Sequence, residues 1–113
     1  MTQNRNKLID LFVGNVSNAI VHSILEKAID SKEIADRYRK ELKTSREIAK
    51  VYRNKINPIN NPLPAKDITY IRRKIINKVN NELKTRISKG YENIDLDLVE
   101  QLVDQALKEF MVL

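Results

Sequence analysis

The chain contains no cysteine and no tryptophan, and it has only two glycines and one histidine among its 113 residues. Without cysteine there is no disulfide framework and no thiolate metal site, which fits a cytoplasmic protein. Gly14 and Gly90 lie too far apart for a P-loop or a G-x-G-x-x-G motif. A catalytic triad or a histidine metal site would depend on His22 alone, for which we expect a structural role. The sequence therefore predicts no catalytic site, no metal and no cofactor, and we expect that the protein is not an enzyme.

Proline is also scarce, and all three prolines fall within residues 57–66. Proline lacks an amide donor and disfavours helix in the residue before it, so this stretch is predicted to be a connector. Elsewhere apolar residues recur at helical spacing, and no stretch alternates as a strand would. These patterns predict an all-α, four-helix bundle-like fold that forms a single domain over residues 1–113. The predicted helices span about 7–29, 31–55, 67–89 and 95–111.

The first predicted helix is apolar on more than one side, and its apolar face rotates along its length. Such a helix is normally buried. One interpretation is a central helix covered by the three others, or a helix kinked at Gly14. The other interpretation places one face against a second subunit. Because the three remaining helices each offer one stripe, we expect an uncovered side and hence a homodimer interface, formed by Val21, Leu25, Ala28 and Ile29.

The helix ends carry recognisable signals. Asp30, with Glu33 three residues later, has the form of a capping box, and Ser31 is the alternative N-cap. Whether the first two helices are continuous stays open. Asp67 is the predicted N-cap of the third helix, which Gly90 should end, and the fourth should begin near Asp95. Polar residues interrupt the first helix, so we expect neither a membrane span nor a signal peptide.

The net charge of +6 is unevenly distributed. Residues 1–56 carry 12 basic and 7 acidic side chains, residues 57–90 carry 8 and 2, and residues 91–113 carry 1 and 6. Such asymmetry can indicate contact with nucleic acid, or packing of the acidic end on the basic middle.

A cationic stripe on the second helix is the one patterned polar feature. Its members repeat at spacings of four and three residues and would lie along one helical face: Arg39, Lys43, Arg46, Lys50 and Arg53. A row of cations matches a phosphate backbone, although Asp36 and Glu47 border it. The cations of the third helix appear scattered around its axis, and the fourth helix is too acidic to enter a DNA groove as part of a helix-turn-helix.

The sequence thus favours a small non-enzymatic structural or interaction protein that self-associates as a homodimer. The alternative is a basic nucleic-acid-binding protein that uses the stripe on the second helix. We expect no membrane partner and no small-molecule substrate.

Overall fold

The computed structural model describes residues 5–28, 31–57 and 63–112. Within these ranges the chain forms four α-helices and no strand, which confirms the all-α, bundle-like prediction. Helix α1 spans Arg5–Ala28, α2 spans Lys32–Ile56, α3 spans Ala65–Ser88 and α4 spans Val99–Glu109. A short 3₁₀ helix, Leu96–Leu98, leads into α4.

Helix α1 is the centre of the molecule, because it packs against α2, α3 and α4 alike. Its Phe12 and Val16 are fully buried in the main hydrophobic cluster. An ion pair of 2.6 Å joins Arg5, at the start of α1, to Asp67, in the first turn of α3, so these two helices begin at the same end. The central-helix interpretation of the sequence is therefore the correct one.

The homodimer interface expected on α1 rested on an uncovered side, and that premise is wrong. Val21 is 4% exposed and Leu25 is fully buried within the single chain, and Ala28 is partly buried. Ile29 lies outside the described residues. The cluster that contains Val21 and Leu25 also includes side chains from the segment between α3 and α4, namely Tyr91, Ile94 and Leu96. The expectation of an uncovered side rested on the helical stripes alone, whereas side chains of this connecting segment also pack against the core.

The helix boundaries follow local chemistry in most places. Ser31, the alternative N-cap, accepts a hydrogen bond from the Ile34 amide at 3.4 Å and separates α1 from α2. Asp67 is not the N-cap of α3, which begins two residues earlier, at Ala65. Pro64 is the N-cap, and its carbonyl accepts hydrogen bonds from the amides of Asp67 and Ile68 at 3.0 and 3.1 Å. Gly90 ends α3 with a φ of 98°, as predicted.

Helix α4 begins later in the chain than predicted. Asp95 does cap a helical turn, since its carboxylate accepts a hydrogen bond from the Asp97 amide at 2.9 Å. That turn is the 3₁₀ helix, and the α-helix proper begins only at Val99. At the other end Met111 adopts a φ of 58°, which ends the helix.

By length and composition α1 is apolar enough to cross a membrane, and 61% of its most apolar window is buried inside the protein. Core helices of soluble proteins satisfy the same criterion. In this fold the apolar surface of α1 is buried against the chain's own helices. The absence of a membrane partner stays a prediction.

Candidate nucleic-acid interface

The cationic stripe predicted on α2 is largely neutralised within the fold. Arg39 donates to the Glu26 carboxylate at 2.9 Å and lies 3.3 Å from Asp36. Arg46 forms an ion pair with Glu109 of α4. Only Lys43 and Lys50 of the five are exposed without an ion pair to any residue that the structure describes.

The fifth member, Arg53, is wrongly placed in the predicted interface, because its side chain is only 2% exposed. Its guanidinium donates three hydrogen bonds to backbone carbonyls: Nε to Phe110 at 3.0 Å, Nη1 to Asn57 at 2.9 Å and Nη2 to Met111 at 2.9 Å. Asn57 and Phe110 are the C-caps of α2 and α4. A cation there satisfies the free carbonyls and the negative ends of two helix dipoles. Burial lowers the pKa of Arg53 from its usual value, and its role is structural.

The solvent-facing side of α3 carries five cations that form no ion pair with a described residue. At about 100° per residue, these five cations form two rows about 100° apart around the helix axis. One row contains Lys66, Arg73 and Lys84, and the other contains Lys74 and Lys78. All five side chains are exposed, and none forms an ion pair within the described part of the chain.

Uncharged polar side chains lie between the two rows. Asn77 and Asn81 are exposed there, and neither side-chain amide is hydrogen-bonded to a described residue. Tyr70 shares this strip but is half-buried, with the Lys74 ammonium 5.6 Å from its ring centroid. We call this surface, formed by Lys66, Arg73, Lys74, Asn77, Lys78, Asn81 and Lys84, the α3 face.

The two arginines that made the cations of α3 appear scattered point away from the α3 face. Arg72 forms a bidentate pair with Asp104 of α4, at 2.8 and 3.3 Å. Arg86 is half-buried and bonds to Glu82 at 3.3 Å and to the Tyr91 hydroxyl at 3.4 Å. Sequence spacing alone could not separate these paired arginines from the exposed lysines.

Carboxylates do little to neutralise the α3 face. Helix α3 has two, Asp67 and Glu82, and they pair with Arg5 and Arg86. The acidic helix α4 lies beside α3 on the side of Arg72, where Asp104 is held. The hydrogen bond from Arg72 lowers the pKa of Asp104, so that carboxylate stays charged and is directed at α3 from its packed side.

His22, on α1, lies beside polar side chains of α2. Its ring stacks on Tyr38 with centroids 5.5 Å apart, and its Nε2 lies 3.2 Å from a Glu41 carboxylate oxygen. Burial lowers the pKa of His22 below 6.5, and Glu41 opposes that change. Its Nδ1 is buried without a hydrogen-bond partner among the described residues. These contacts fit a packing role, and the described residues hold no cluster of three metal-ligating side chains.

A cavity of about 220 Å³ lies where α1, α2 and α4 meet. Val16, Leu42, Leu102 and Phe110 contribute apolar walls, and Arg46 is at its rim. Ligand sites for small molecules usually enclose roughly 300–1,000 Å³. Its polar lining consists of Ser23, Lys27, Arg46, Gln105 and Glu109, and two of these, Arg46 and Glu109, already pair with each other.

The sequence contains a signal for the α3 face, although it is an excess of cations and not a regular stripe. Between Asp67 and Glu82 the chain has Arg72, Arg73, Lys74 and Lys78 but no carboxylate. No family model, no curated protein and no solved structure matches this chain.

Proposed function

We propose that the protein binds nucleic acid through the α3 face. One observation carries this proposal: five exposed cations of α3 form no ion pair with a described residue, while both carboxylates of that helix pair with other arginines. A phosphate backbone is the ligand that a two-row array of lysine and arginine side chains fits best. The exposed asparagine amides between the rows supply hydrogen-bonding groups of the kind that protein–nucleic acid contacts use.

The proposal moves the interface from α2 to α3. Helix α2 also has six exposed cations without an ion pair to any described residue, namely Lys32, Arg37, Lys40, Lys43, Lys50 and Lys55, but four carboxylates lie on the same helix. Three of its four arginines already have carboxylate or carbonyl partners. An arginine that is already paired must break that pair before it can neutralise a phosphate. The cations of the α3 face have no carboxylate partner among the described residues, although Lys74 also contacts the Tyr70 ring.

Fluorescence anisotropy on a generic labelled duplex, across a salt series, tests the proposal. If five phosphates are neutralised, log Kd changes against log salt with a slope of about 4.5, so affinity falls about 500-fold from about 50 to about 200 mM. The double variant Lys74→Glu with Lys78→Glu should bind at least about 30-fold more weakly and reduce the slope by about 2. Circular dichroism confirms that the variant is folded, which we expect because both side chains are exposed.

The matched control reverses two exposed lysines elsewhere, Lys32→Glu with Lys108→Glu, and changes the net charge by the same amount. We expect it to lose less than about fivefold in affinity. An equal loss in the control, or a wild-type affinity that ignores salt, would refute the α3 face as the interface.

A second candidate function is self-association, now through α2 and a second copy of this chain. Ile34, Ile48 and Val51 are 41%, 39% and 51% exposed, and they fall within about 100° of one another on the outer side of α2. A contact on one helix of 25 residues covers less than the roughly 800 Å² per partner of a standard interface. We therefore expect a weak dimer.

Light scattering at about 10 µM and about 500 µM checks this second candidate against the monomer mass of 13.2 kDa. The mass should approach twice 13.2 kDa only at the higher concentration, and Ile48→Lys with Val51→Lys should abolish the increase. As a control, Ile87→Lys removes an equally exposed side chain from α3 and should leave the increase unchanged. A monomer at both concentrations would rule out this candidate.

A further inference from the structure

Resting on the proposed nucleic-acid function, we propose that α3 recognises duplex DNA in the major groove, with Asn77 and Asn81 contacting base edges. The two cation rows of the α3 face lie on either side of these amides. A helix with its side chains is about 10–12 Å across, and the major groove of B-form DNA is about 12 Å wide and about 8.5 Å deep. A helix that fills the groove meets a phosphate strand on each side and base edges at its tip. The α3 face has the matching arrangement, with a row of cations on each side and amides between the rows.

The length of the α3 face also fits the groove. Lys66 and Lys84 are 18 residues apart, which is about 27 Å along the helix axis. Asn77 and Asn81 are one helical turn apart, about 6 Å, which is close to two base-pair steps of about 3.4 Å. The two amides therefore lie where they reach bases about two steps apart.

Asparagine is the side chain that pairs with adenine in the major groove. Its amide oxygen accepts from the adenine N6 amine while its amide nitrogen donates to N7. Both amides are exposed and are not hydrogen-bonded to any described residue, so DNA binding would break no internal bond. The chemistry assigns adenine as the preferred base opposite each asparagine.

Other nucleic acids fit the α3 face less well. Duplex RNA has a major groove that is deep and too narrow for a helix. Single strands are held by stacking of bases on aromatic rings. The one aromatic side chain on the strip, Tyr70, is half-buried and has Lys74 over its ring.

Selection of binding sites from a randomised duplex DNA pool, followed by anisotropy on a selected and a scrambled duplex, tests the inference. The wild type should prefer the selected duplex by at least about tenfold, since each bidentate contact discriminates by about 5- to 150-fold. The double variant Asn77→Ala with Asn81→Ala should lose this preference to within about twofold. It should keep the affinity for scrambled DNA and the salt slope of about 4.5, because its phosphate contacts remain.

A chemical substitution in the DNA locates the contact. Replacing the selected adenines with 7-deazaadenine removes the N7 acceptor in the major groove and leaves the minor groove unchanged. This should weaken wild-type binding by at least about fivefold and leave the double variant unaffected. Gln101→Ala, an exposed amide on acidic α4, is the control and should behave as the wild type.

The outcomes separate the inference from the function on which it rests. Steeply salt-dependent binding with no preferred duplex, or a preference insensitive to 7-deazaadenine, would overturn major-groove recognition and leave the proposed function standing. Equal or tighter binding of single strands or duplex RNA would also overturn it. The absence of any salt-dependent binding would overturn both.

Discussion

Helices α2 and α3 are both long, basic and exposed on one side, yet their cations have different roles. On α2 three of the four arginines hold the fold together: Arg53 bonds two helix ends, Arg46 reaches α4, and Arg39 reaches α1. On α3 the cations of both rows remain in solvent. The difference teaches that a regular row of cations beside an apolar seam is well placed to reach neighbouring helices. In the regular row of α2 the three arginines are used internally, while Lys43 and Lys50 stay exposed.

The largest effect expected from this comparison concerns Arg53. Arg53→Met leaves one buried and two partly buried carbonyls without this donor and should lower the free energy of unfolding by about 2–4 kcal/mol. Urea unfolding followed by circular dichroism measures it. Arg73→Met, the same substitution on the α3 face, should change stability by less than about 0.5 kcal/mol and weaken duplex binding instead. Equal stability of the two variants would remove the distinction between the helices.

The next prediction concerns the ion pair between Arg72 of α3 and Asp104 of α4. Because the pKa of Asp104 is lowered in the folded chain, its contribution is present above about pH 4 and is lost as the pH falls through the folded pKa. Both side chains are more than a third exposed, so solvent screening limits the contribution to about 1 kcal/mol or less.

Unfolding midpoints in urea between about pH 2.5 and about pH 7 check this pair. Asp104→Asn should be less stable than the wild type at neutral pH and equal to it at the acid end. Glu92→Gln, an exposed carboxylate elsewhere, should follow the wild type throughout. A constant difference across the pH range would contradict the assignment.

The smallest expected effect is on affinity and concerns Arg46. Glu109→Gln removes its partner carboxylate and frees a third cation beside Lys43 and Lys50 on α2. If α3 is the interface, duplex affinity should rise by no more than about threefold, through net charge alone. Anisotropy at low salt measures it. A gain above about tenfold would show that α4 masks a binding surface on α2, and the assignment of functions to the two helices would need to be reversed.

Much of the fold was predictable because helix formation depends on local chemistry. The apolar spacing of Ile71, Ile75, Val79 and Leu83, all fully buried, predicted α3. The placement of Gly90 predicted its end. The candidate interface was harder to predict from the sequence, because exposure of a cation depends on what packs beside it. Arg72 and Arg73 are adjacent in sequence, yet one is paired to α4 and the other is in solvent.

The sequence by itself determined the helical class, the ends marked by Ser31 and Gly90, and the excess of positive charge between Asp67 and Glu82. Those features follow from periodicity, capping and composition, which act within a few residues along the chain. Only the tertiary structure decided that α1 is covered on both sides and that Arg53 is buried. It also decided which cations are paired and which are exposed, because burial and ion pairing depend on residues brought together from distant parts of the chain.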